Sequence, residues 1–121
     1  MKKIKCISIA MLLLFTANIT LADDNMYNQQ IKYYNNLATC TPSNFSIGYL
    51  GTYTIYGVEN NKCHIRESLG GVNINCFLPG SVARRYAQEG INMLKASMKN
   101  GVSYSAYINQ ITNDSAYCSL K

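Results

Sequence analysis

The chain of 121 residues is poor in the side chains that carry out chemistry, with one histidine, His64, and six acidic residues against eleven basic ones. A single imidazole and the absence of any C-x-x-C pair do not suit a zinc or other transition-metal centre, so no metal and no cofactor is expected. No serine sits in a G-x-S-x-G elbow, which excludes a nucleophile presented in the manner of the α/β-hydrolases. Beyond Asp23-Asp24 at its start, the predicted domain holds only Glu59, Glu67, Glu89 and Asp114. They fall on different elements, so a carboxylate pair for glycoside cleavage would have to assemble across the fold. Gly57 and Gly70-Gly71 read as turn glycines, because no helix follows them to form a phosphate cradle.

Long apolar runs are also missing. The one stretch of note, Ile7 to Phe15, is too short to cross a bilayer, which takes about 20 residues. It follows Lys2, Lys3 and Lys5 and leads to Leu21-Ala22, with Asp23-Asp24 beyond. A basic start, a short apolar centre and a small residue at the end make residues 1–22 a secretory signal peptide cleaved after Ala22. Residues 23–121 are then the mature chain, a single domain in the periplasm or outside the cell. The leader takes three of the eleven basic residues with it, leaving eight against six acids, a net charge of +2. That is too weak a basic balance for nucleic acid, and nothing mature is expected to span a membrane. Thirteen Asn and ten Tyr in the mature chain match the codon bias of an AT-rich bacterial genome and need no recognition role.

Apolar residues recur at three and four from Met26 through Tyr27, Ile31, Tyr34, Leu37 and Ala38, which predicts an amphipathic helix. It stops before Thr41-Pro42, because a residue preceding proline avoids helical backbone. From Phe45 to Ile55 the period is two, as in a half-buried strand, with Gly48 and Gly51 leaving one kinked strand or two short ones. Gly57–Asn61 supplies turn chemistry. A hairpin centred on Leu69-Gly70 then sets Glu67 opposite Val72, Ile65 opposite Ile74 and Cys63 opposite Cys76. After Pro79-Gly80, Ser81 is a candidate N-cap for a helix with Ala83, Ala87, Ile91, Leu94 and Met98 as its stripe, widened by Tyr86 and Met93, and Asn100-Gly101 as its stop. A last short helix starts at Ser103. The expected fold is α+β: a small three-stranded antiparallel meander with one preceding and two following helices packed on one face.

Cys6 leaves with the leader, so the mature chain holds Cys40, Cys63, Cys76 and Cys118. An even set in an exported domain reads as two disulfides. The hairpin register favours Cys63–Cys76, leaving Cys40–Cys118. The alternative, Cys40–Cys63 with Cys76–Cys118, ties each helical segment to the sheet instead.

If helices cover one face of the sheet, the other carries Thr52, Thr54, Tyr56, His64, Arg66, Asn73, Asn75 and Phe77. This polar face with aromatics at its margin is the candidate binding surface, since Tyr, Arg and Asn are effective contact residues. The sequence is therefore read as a small exported, non-catalytic binding protein whose partner is another protein of the envelope or the exterior, an inhibitor or immunity-type module. The alternatives are an accessory subunit of an envelope or secretion assembly, and a small secreted hydrolase using His64 as base.

Overall fold

The computed structural model describes residues 26–46, 51–101 and 104–120; the signal peptide expected at 1–22 and Ser103 lie outside them. A first helix, α1, runs over 26–38. It is followed by β1 (Ser43–Ser46), β2 (Gly51–Glu59), β3 (Lys62–Leu69), β4 (Val72–Pro79), α2 (Gly80–Asn100), α3 (Ala106–Thr112) and β5 (Cys118–Leu120). The expectation of three strands is overturned: the sheet has five, in the order β1-β2-β3-β4-β5, each antiparallel to its neighbour. The α+β class stands.

The two added strands arise differently. The period-two stretch from Phe45 does not continue as one strand but folds back, pairing Phe45 with Tyr53 and Ser43 with Ile55. Of the two readings left open by Gly48 and Gly51, one kinked strand or two short ones, the pairing bears out two strands; Gly48 lies outside the described residues. Strand β5 has only three residues and a single buried side chain, Cys118, too few for any periodicity. Its pairing of Cys118 with Cys76 is extended by a hydrogen bond from the Phe77 N–H to the Tyr117 carbonyl.

The inner hairpins close through two-residue turns. Asn60 and Asn61 (φ 52 and 65) join β2 to β3, and Gly70 and Gly71 (φ 56 and 83) join β3 to β4. Positive φ at both central positions matches the right-handed twist of the flanking strands, and Asn and Gly tolerate it best. Gly57 belongs to β2, not to the turn. The β3–β4 turn is centred one position beyond the expected Leu69-Gly70, so Leu69 faces Val72, Glu67 faces Ile74 and Cys63 faces Leu78. Cys63 and Cys76 are thus two residues out of line. The favoured pairing Cys63–Cys76 and Cys40–Cys118 is replaced by the alternative, Cys40–Cys63 and Cys76–Cys118.

Helix α1 delivers Cys40 to its partner through a left-handed exit. The Cys40 N–H bonds the Leu37 carbonyl and the Thr41 N–H the Asn36 carbonyl, with Cys40 at φ 53; this is a Schellman ending with cysteine where glycine is usual. Helix α2 is entered from Pro79 with no side-chain cap, contrary to the Ser81 expectation, and leaves at Gly101 in the left-handed region. Ser105 caps α3, its Oγ accepting from the Ile108 N–H.

The core lies between the helices and one sheet face, built from Tyr33, Tyr34 and Leu37 of α1, Ala83, Tyr86, Ala87 and Leu94 of α2, Ile111 of α3 and the inward residues of the strands. The buried stripe of α2 includes Gly90 and Ser97, while Met98 is exposed. A Cβ added at Gly90 would sit 2.3 Å from Cε1 of Tyr34, so the glycine is where α1 approaches α2. Arg85 serves packing, its guanidinium 4.1 Å from the Tyr107 ring centroid, a cation–π contact between α2 and α3.

Among the described residues one inward strand position carries a carboxyl. Glu67 alternates with Ile65 and Leu69 and is 7% exposed, and it accepts a 2.9 Å hydrogen bond from the Tyr86 hydroxyl. Burial raises its pKa from the ordinary 4.5, and the Tyr86 bond only partly opposes this. Tyr33, Tyr34, Tyr53 and Tyr86 are themselves raised, first by burial and then by the Glu67 charge.

Two outcomes follow. Non-reducing peptide mapping should recover Cys40–Cys63 and Cys76–Cys118. The bonds span 23 and 42 residues, so removing either as a Ser pair should cost about 3–4 kcal/mol in the chain-entropy account. For Glu67, a pKa raised on folding means its favourable contribution is complete below the unfolded value and is lost as pH rises through the folded value. Glu67→Gln keeps an acceptor for Tyr86 and abolishes this loss. Urea unfolding from pH 4 to 8 should show the variant gaining on the native protein, by about 1.4 kcal/mol for each unit of the shift.

Candidate functional site

The side chains of alternate strand residues point to opposite faces, so residues not used by the core form the outer face of the sheet. All eight residues of the expected face lie there, in cross-strand rows. Thr52, Ser68 and Asn73 form one row, and Thr54, Arg66 and Asn75 the next. His64 is opposite Phe77 and not Asn75, because of the register described above.

Tyr56 reaches this face by a different device. Ile55 pairs with Ile65 but Gly57 pairs with His64, so β2 has one residue more than β3 at this point. The extra residue is Tyr56, and Gly57 at φ 115 adopts backbone that a side chain would disfavour. The bulge turns Tyr56 outward beside His64. The two ring centroids are 4.4 Å apart, and His64 in turn stacks on Phe77 at 4.2 Å with planes inclined by 15°. Three rings from three strands thus lie side by side, the outer two 45% and 37% exposed.

Polar contacts fix the face further. The His64 Nδ1 is 2.8 Å from Glu59 Oε2, and since a carboxylate only accepts, Nδ1 carries the proton. Nε2 lies 3.3 Å from Asn75 Oδ1. Asn44 Nδ2 donates to Thr54 Oγ1 at 3.0 Å, and Ser68 Oγ to Asn73 Oδ1 at 2.6 Å. Asn44, Glu59, Lys62 and Ser68 are therefore members of the face beyond the eight expected. Strand parity alone would have indicated Lys62 and Ser68; Asn44 required the β1–β2 pairing, and Glu59 the bulge at Gly57 that reverses the parity of β2.

The same geometry bears on catalysis. The nitrogen of His64 that would activate a hydroxyl faces an amide oxygen. Asp114 is engaged in the turn before β5, its Oδ1 accepting from the Ala116 N–H at 2.9 Å. Cys40, Cys63, Cys76 and Cys118 are all oxidised in disulfides, so none is a thiolate nucleophile or metal ligand. Among the described residues no group of three His, Cys, Asp or Glu side chains could hold a metal ion.

Two cavities lined by described residues adjoin the sheet. One of about 380 Å³ is lined by Glu59, Asn60, Lys62, Phe77, Tyr117 and Ser119 and adjoins the outer face through Phe77. The other, of about 330 Å³, lies between α1 and β1 beside Lys32, Asn36 and Asn44. No described helix is long and apolar enough to cross a membrane. The chain matches no protein-family model, no curated protein and no solved structure.

Phe77→Ala should report on the ring stack directly. The His64 ring protons, shielded by their neighbours, should move downfield in the proton spectrum. The fold should lose about 1 kcal/mol, the scale of an aromatic pair beyond its buried area.

Proposed function

We propose that the chain is a small exported binding protein, without catalytic activity of its own, that docks another protein on the outer face of its sheet. An inhibitor or an immunity-type module is the class intended. Export rests on the leader, cleaved after Ala22, and two disulfides fit the oxidising compartment to which it leads. The observation that carries the reading is the Tyr56–His64–Phe77 stack. Exposed aromatic rings are the usual anchors of protein interfaces. Here they are held by a backbone bulge and by mutual contact, which lowers the conformational entropy lost on binding. The polar rows beside them supply hydrogen-bonding groups for a rim.

The test is capture of the partner by tagged mature protein from its native envelope under non-reducing conditions, followed by mass spectrometry and a binding assay with the purified partner. One stoichiometric partner is expected. Tyr56→Ala and Arg66→Ala should each weaken it by about ten-fold or more, the range of interface hot spots, while both variants stay folded and Tyr56→Ala loses about 1 kcal/mol of stability with its ring contact. A partner held equally well by the double variant, or a protein that emerges alone from every envelope preparation, overturns the proposal.

A further inference from the structure

The charged side chains of the outer face are unequally matched. Strand β3 sets Lys62, His64 and Arg66 in one outward line. Glu59 bonds the His64 ring and stands directly across from Lys62. Arg66 has no counterpart: among the described residues it makes no ion pair, and its Nε is buried without a hydrogen-bond partner. An arginine at the centre of a sheet face is left with its fork of donors unused.

Its neighbours compound the imbalance. The register places Thr54 and Asn75 on either side of Arg66. Thr54 Oγ1 accepts from Asn44 and is uncharged, so it offers arginine no counter-ion. Asn75 sets its amide beside His64, 3.3 Å from Nε2. The row therefore holds a hydroxyl, a guanidinium and an amide, with no carboxylate to balance the positive charge. A carboxylate, planar and acceptor-only, is the group that such a row complements, and it can take two parallel bonds from arginine.

We infer that the partner presents an Asp or Glu side chain to Arg66, as part of an acidic polypeptide surface laid across β2, β3 and β4. This rests on the outer-face reading proposed above. A polypeptide is the occupant because Arg66 lines neither cavity described above. A free small anion would remain largely in water, whereas a chain crossing the strands would also cover the exposed Tyr56 and Phe77.

The experiment is a titration of isotope-labelled mature protein, followed by NMR, with three probes: a blocked hexapeptide of alternating Asp and Glu, its Asn/Gln counterpart, and acetate. The acidic peptide should shift the amides of Thr54, Arg66 and Asn75 and the Arg66 Nε–H. Arg66→Gln should weaken it by about ten-fold or more, Arg66→Lys by less because charge survives without the fork, and Lys99→Gln on α2 should leave it unchanged. Equal binding of the Asn/Gln peptide overturns the carboxylate inference and leaves the face as a docking surface. Acetate binding as tightly as the hexapeptide makes this a small-anion site and overturns the polypeptide. No response to any probe overturns the acidic partner. With the captured partner, release by Tyr56→Ala but not by Arg66→Gln sinks this inference alone, whereas release by neither sinks the outer-face reading itself.

Discussion

Gly70 and Gly71 both take positive φ, and the tight turn they allow sets the alignment of β3 against β4 on which most of the molecule depends. With Leu69 opposite Val72, Cys63 comes to lie opposite Leu78 and Cys76 opposite Ile65. Neither cysteine then has the other as a cross-strand neighbour. Cys76 takes its partner from β5 on the far side, and Cys63 from the end of α1 above the sheet. The disulfides therefore fasten the first helix and the last strand to the central hairpin, where the other pairing would have cross-linked that hairpin to itself and joined the ends of the chain. The same alignment brings Phe77 against His64 and Asn75 against Arg66, and so composes the outer face.

The inner face carries the unusual burden of a carboxyl. Glu67 is placed among the core residues by strand parity, and four tyrosines surround it electrostatically. Among the described residues the Tyr86 hydroxyl alone bonds it, and the Tyr33 hydroxyl is buried without a partner. Ionising a carboxyl in such a place costs desolvation that one hydrogen bond does not fully offset. The core thus has a polar centre that the aromatic packing around it tolerates. Tyr33, Tyr34, Tyr53 and Phe45 meet edge to face, with centroids 5.3–5.9 Å apart, and Gly90 lets the Tyr34 ring lie against α2.

The eight-residue face was legible without coordinates for a specific reason. The error in the β3–β4 turn was a slip of two residues, and side chains repeat every two along a strand. A slip of two leaves every residue on its own face while changing its neighbour across the strand. The membership of the face therefore survived, but its contacts did not: Asn75 was expected beside His64 by register and instead lies beside Arg66, reaching His64 diagonally. Tyr56 was placed outward by simple alternation from Ile55. It is outward, but through the bulge at Gly57, beyond which the parity of β2 is reversed.

What the amino-acid sequence determined by itself was local or periodic: the helical stripes, the stop at Gly101, the alternation that separates core from surface, and an even cysteine set. Each depends on residues a few positions apart, where propensity and burial act together. The tertiary structure decided what requires distant segments to meet. It turned one alternating stretch into two paired strands, recruited three residues near the chain end as a fifth, chose between two disulfide pairings, and left Arg66 as an unmatched cation. These outcomes rest on register and long-range pairing, for which the relevant energy lies in contacts between elements, and no single stretch of sequence contains both halves of such a contact.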